Sequence, residues 1–322
     1  MKNCTNYLMK TLLFLLIFII IFCSYLILCW FVLKINVKDV FFHSPLLTMK
    51  IDYAKSIEEP KIVIVGGSSV LLGINADQIE KEIEFPVVNF GTHADVHDLS
   101  MYKLKKILKP GDIVIGVFEY NLYYSKKRSW FERIGIRENI IYEIGKDYFR
   151  NSSNIEKTKL LAISMRDIIY RLNTNNQLND SYELKNITEK GDQNRRLMYS
   201  DELFKKMRKK IYADDFKLNA KNKNYLLSDL SEFINWCGEN NIGYIGSFPP
   251  LLQQQLYLNN EKYIKFFSDI QNYYQSMQIK TIASPQKFFY PKSYFYNTMY
   301  HLNSYGKKIN TNYLISFLKQ ML

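Results

Sequence analysis

Four short blocks hold the side chains with chemical use. Gly66-Gly67-Ser68-Ser69 follows the β-branched run 61–65, and Gly91-Thr92-His93 follows the run 86–90. Glu119-Tyr120-Asn121 closes the run 112–118, and Tyr300-His301-Leu302-Asn303 stands just before the last helical stretch. A serine on a glycine turn, backbone N–H groups on a second glycine turn and a late histidine are the parts of an acyl-transfer site. A serine hydroxyl is a weak nucleophile until a base takes its proton, and the tetrahedral oxyanion needs fixed donors. Each block also has a plainer reading. The first glycine turn can be a tight strand-to-helix corner or a phosphate-holding loop, His301 a surface histidine beside a helix start, and Glu119 a polar strand end. His93 and His97, four residues apart, have the spacing of two metal ligands on a helix face, but no third ligand accompanies them, so no metal is expected. No cofactor motif is present, and no cofactor is expected.

The elements that must position these blocks follow from periodicity. Short buried strands are expected at 61–65, 86–90, 112–118, 242–248 and 279–283, each a run of β-branched or aromatic residues bounded by Gly or Pro. Between them the pattern is helical. Asn75 and Gln78 have capping-box spacing for a helix to residue 83; another helix starts near Asp95, carries Met101, Leu104, Ile107 and Leu108 on one face and stops at Pro110-Gly111. Further helices are expected at 226–236, 261–277 and 304–322. Alternating strand and helix imply a parallel, doubly wound α/β sheet, whose ligands bind at the carboxyl ends of the strands. Residues 124–223, rich in Asn, Lys, Asp and Ser, read as an insertion with helices at 154–172 and 201–212 joined by mobile loops, among them 190–196.

No charged residue occurs in the 23 positions 11–33, which as a helix reach ~34 Å and cross a ~30 Å hydrocarbon core. The run is longer than a cleavable signal core and has no small-residue cleavage site, so it reads as a retained anchor. The expected organisation is a tail at 1–10, a transmembrane anchor at 11–33, a connector at 34–60 and an α/β domain at 61–322. Lys2 and Lys10 on one side nearly balance Lys34 and Lys38 on the other. The expected orientation, body outside the cytoplasm, therefore rests on the shortness of the tail. The 322 residues are 47% hydrophobic, which excludes a wholly disordered chain. The net charge, 43 − 31 = +12, is spread along the chain without a nucleic-acid module, so it implies a basic surface and no nucleic-acid partner. Of Cys4, Cys23, Cys29 and Cys237 only the last lies in the body, where it has no partner for an internal disulfide.

The four blocks, read as Ile64-Val-Gly-Gly-Ser68-Ser, Val88-Asn-Phe-Gly91-Thr-His, Phe118-Glu-Tyr-Asn121 and Phe295-Tyr-Asn-Thr-Met-Tyr-His301-Leu-Asn, resemble those of the SGNH (GDSL-like) hydrolase superfamily. The resemblance is to its membrane-anchored members associated with acylation of cell-surface polysaccharides. It runs from about residue 60 to the C-terminus and leaves the insertion unmatched. It implies Ser68 as nucleophile, His301 as base, and Gly91, with Gly67 and Asn121, around the oxyanion and substrate. The family's histidine block usually holds an aspartate three or four residues before the histidine. Here those positions are Thr298 and Asn297, so either Asn297 orients the ring or Glu119 supplies the missing carboxylate. The expected activity is that of an O-acyltransferase or esterase, with acetyl the expected group, on a surface polysaccharide, beside a membrane acyl-donor protein. The alternative is a catalytically silent relative that binds glycan or scaffolds an export complex.

Overall fold

The computed structural model describes residues 2–34, 38–123, 144–154, 183–199 and 225–321. Along them run α1 (Lys2–Lys34), α2 (Lys38–Ser56), β1 (Ile62–Gly66), α3 (Ser68–Gly73), α4 (Ala76–Ile83), β2 (Val87–Gly91), α5 (His97–Leu104) and β3 (Ile113–Val117). They are followed by α6 (Lys146–Asn151), α7 (Tyr225–Glu239), β4 (Gly243–Ser247), β5 (Leu251–Leu252), α8 (Gln255–Asn259), α9 (Glu261–Ser276), β6 (Phe289–Tyr290) and α10 (Ser304–Met321).

The protein is mixed α/β with a four-stranded parallel sheet in the order β2-β1-β3-β4. Strands β1 and β2 are buried along their whole length, as expected of strands covered on both faces. Register pairs Gly66 with Gly91 on one side and with Val117 on the other. The carboxyl ends of β1, β2 and β3 therefore lie level, and the chain passes from β1 to β2 and then back to β3 across β1. In parallel α/β sheets such a reversal marks the strand ends at which ligands bind. At the opposite end the fully buried Lys61 and Asp112 form an ion pair at 3.0 Å, and Asp112 also accepts from the backbone N–H of Lys61 and Lys109. Beside β4, aromatic rings of Phe248, Phe267, Tyr274 and Phe288 fill the core.

Several expectations need correction. The expected connector 34–60 contains a 19-residue helix, α2, which buries Phe42, Leu46, Leu47, Lys50 and Ala54 despite Pro45 inside it. The helix from 97 stops at Leu104; a turn follows in which Ile107 N and Leu108 N donate to Leu104 O, and Met101, Leu104 and Ile107 are buried in the core with Leu108 packed against it. The strand expected at 279–283 is a single parallel bridge from Thr281 to Gly246, because only one residue there lies in register. At α4 only half of the capping box forms: Asn75 Oδ1 accepts from Gln78 N, but the Asn75 N–H goes to Thr311 Oγ1 and the Gln78 amide to Asn312. The loop 190–196 is fastened to the body: Lys190 O accepts from Asn89 N on the free edge of β2, and Asp192 is buried and caps α4 through the N–H groups of Ala76 and Asp77. Gly191, at φ +88°, makes that edge contact possible, since a Cβ there would meet Asn89 O at 2.3 Å. The helices expected at 154–172 and 201–212 lie outside the described residues.

Within α1, Met9–Leu28 is long and apolar enough to cross a membrane. Leu12, Phe14, Ile17, Phe18 and Phe22 are all exposed there. Each such side chain forgoes ~1.5–3 kcal/mol of burial if left in water.

Candidate active site

Ser68 opens α3 immediately after β1, with Gly67 as the preceding residue. A side chain on Gly67 would meet the Glu119 carboxylate at 2.3–2.4 Å, so the glycine is what lets that carboxyl lie beneath the turn. His301 reaches the same place from a loop built for the purpose. The bridge between Phe295 and Leu302 closes the loop, and Tyr296 N donates to His301 O at 2.8 Å. Thr298 Oγ1 accepts from the N–H of Tyr300 and of His301, so the residue three before the histidine is a turn-making hydroxyl and not a carboxylate. Asn303 then caps α10, accepting from Tyr305 N and Gly306 N.

The result is a relay of three side chains. Ser68 Oγ lies 2.8 Å from His301 Nε2, and His301 Nδ1 lies 2.8 Å from Asn297 Oδ1. An amide oxygen accepts, so Nδ1 carries the ring proton and Nε2 presents its lone pair to the serine hydroxyl. Burial, helped by the neighbouring His93, holds the His301 pKa down at about 3. The imidazole is therefore neutral across the physiological range.

Glu119 is not the orienting carboxylate. It is buried, and its Oε1 accepts from Ser69 N at 3.0 Å, under the serine turn. Desolvation raises its pKa, opposed by the Ser69 N–H and by His93. Gly91 likewise differs from expectation. Its N–H donates to Asn89 Oδ1 at 3.0 Å, because the Asn89 side chain folds back along the end of β2. Gly91 is needed for space: a Cβ there would strike Leu71 N at 2.3 Å. Asn121, in the turn after β3, is half-buried, has no hydrogen bond to Ser68 or His301, and has a buried Oδ1 without a partner among the described residues.

Sequence reasoning missed the layer behind the pair. Lys50, from α2, is fully buried and donates to Gly91 O at 2.5 Å and Asn89 Oδ1 at 3.4 Å, while Asn89 Nδ2 donates to Asp192 Oδ1 at 3.0 Å. Burial lowers the Lys50 pKa to about 7, although Asp192 pulls the other way. His43, also from α2, is buried with its pKa lowered to about 3 by desolvation, His93 and Lys50. No sequence signal links α2 to the site, since its polar members stand on the face that is buried. His93 and His97 are not joint ligands: His93 Nδ1 accepts from Asp95 N, His97 Nδ1 lies 3.1 Å from Ala94 O, and no metal-holding cluster exists among the described residues.

The arrangement can deliver a proton from Ser68 to His301 in a site without a charged orienting partner. Compared with family models and with curated proteins, the chain matches none.

Proposed function

We propose that the chain is a membrane-anchored serine O-acyltransferase or esterase of the SGNH type. In this reading α1 is a single-pass anchor, the body lies outside the cytoplasm, and the four-stranded sheet is the centre of a doubly wound SGNH-like domain. The observation that carries it is the Ser68–His301–Asn297 relay, with both hydrogen bonds at 2.8 Å and Ser68 and His301 233 positions apart in the chain. Ser68 Oγ attacks the carbonyl of an acyl ester as His301 Nε2 takes its proton, and the departing alcohol recovers that proton from His301. A second hydroxyl, from a sugar or from water, then accepts the acyl group by the same route reversed. Acetyl is the group expected, a cell-surface polysaccharide the acceptor, and a membrane acyl-donor protein the source.

A second reading, a catalytically silent glycan-binding or scaffold protein, is favoured by one observation: Asn297 stands where a carboxylate would stabilise imidazolium. Losing that charge from a serine triad costs about 10⁴ in rate. Hydrolysis of 4-nitrophenyl acetate by the detergent-solubilised protein separates the readings. The acyl-transfer reading expects turnover that disappears in Ser68→Ala and in His301→Ala; turnover unaffected by both changes, or none at all, supports the silent protein.

A further inference from the structure

An acyl group on Ser68 must find donors for its carbonyl oxygen, and three of the backbone N–H groups around the strand ends are already used. Gly91 N donates to Asn89 Oδ1, Thr92 N to Gly66 O and Ser69 N to Glu119 Oε1. Loss of one oxyanion donor costs about 10²–10³ in rate, so a side chain that supplies one counts for as much.

His93 has the placement and the proton. Gly66 and Gly91 are register partners, and Ser68 and His93 each lie two residues beyond their glycine, so the two side chains leave adjacent strands at one level. The Asp95 N–H donates to His93 Nδ1 at 3.2 Å, which puts the neutral ring's proton on Nε2, at the far edge of the ring. The ring packs edge-to-face on the buried His43, with centroids 5.4 Å apart, and this contact fixes its plane. It is near enough to His301 and Glu119 to bear on the pKa of each.

We propose that His93 is a catalytic residue whose Nε2–H donates to the oxyanion formed at Ser68. As the Ser68 Oγ–carbon bond forms, the carbonyl π pair moves to oxygen and is met by this N–H, which keeps its proton. The Ser68 proton goes to His301. Collapse re-forms the carbonyl, breaks the bond to the leaving oxygen, and that oxygen departs with the proton from His301. The inference rests on the acyl-transfer reading and adds to it a side-chain donor where the backbone donor at Gly91 is taken.

The test is kinetic, on the full chain in detergent with 4-nitrophenyl acetate. His93→Asn keeps an acceptor near the Nδ1 position for Asp95 N but has nothing at Nε2; His93→Gln puts an amide N–H near Nε2. His93→Asn should lower kcat by about 10²–10³ with little change in KM, and His93→Gln should recover at least roughly tenfold of that loss. A His93→Asn enzyme within about threefold of wild type, or two variants equally impaired, overturns the assignment. If wild-type turnover depends on Ser68 and His93→Asn matches it, only the His93 role falls. If the wild type shows no Ser68-dependent turnover, the role falls together with the acyl-transfer reading.

Discussion

The chemistry turns on a neutral partner for His301. Asn297 Oδ1 holds the ring in the tautomer a general base requires, but an amide does little for imidazolium, and burial pushes the His301 pKa to about 3. Geometry and charge, which one aspartate usually supplies together, are separated here. Asn297→Asp should therefore raise Ser68-dependent ester hydrolysis, by up to ~10⁴, the size of the reverse change in a serine triad. The pH profile should move with it. A depressed pKa leaves the wild-type base unprotonated well below pH 6, so its acid limb should lie near the His301 pKa of about 3. A carboxylate at 297 favours the charged ring, so the limb of the variant should shift toward neutrality. An unchanged rate and profile would mean that Asn297 does not govern the ring. At this scale the sequence was informative about Ser68, His301 and Asn297, because glycine turns and short spacings are local signals. The hydrogen-bond partners of Gly91 and Glu119 were not legible, because they are set by how Asn89 and Ser69 meet them in space.

Among the elements, the strands were legible and α2 was not. Runs such as Ile62–Gly66 announce themselves by β-branching, whereas α2 carries Pro45 in its interior and a lysine on its buried face, which masks the helical period. The polar stretch around Asp192 was misread for a similar reason: its polarity serves buried hydrogen bonds to β2 and α4, and composition alone does not distinguish that from solvation. Lys50 is the clasp between α2 and β2. Its folded pKa is about 7 against an ordinary 10.5, so between those values the unfolded chain holds a proton that the folded chain lacks. Stability from this group therefore rises with pH across that window, by up to about 1.4 kcal/mol per pH unit, and is lost as pH falls through about 7. Urea titrations at pH 7 and 9.5 should show the wild type gaining on Lys50→Met as pH increases. A difference between the two proteins that does not vary with pH would contradict the assignment.

For the whole molecule, α1 and α2 are consecutive helices with opposite surroundings. The first exposes its apolar side chains and the second buries its own against the sheet edge and the site. On the proposed reading, α2, which lies within the expected 34–60 connector, belongs with the body. Removal of residues 1–36 should yield a protein that is folded without detergent and keeps any Ser68 reactivity. Removal of residues 1–57 should yield one that does not fold, since it strips Phe42, Leu46, Leu47 and Lys50 from the core. Size-exclusion chromatography and circular dichroism of the two truncations decide this. A folded product of the longer deletion would make α2 dispensable.

The central claim is that Ser68 is an activated nucleophile, and reaction with a fluorophosphonate probe tests it most directly, because the probe needs a serine activated by its base and no knowledge of the acyl donor. Intact-mass and peptide mapping of the solubilised full chain should show one adduct, on Ser68, that is lost in Ser68→Ala and slowed at least ~10²-fold in His301→Ala. Folded protein that remains unlabelled at Ser68, or is labelled equally well without His301, would contradict the account.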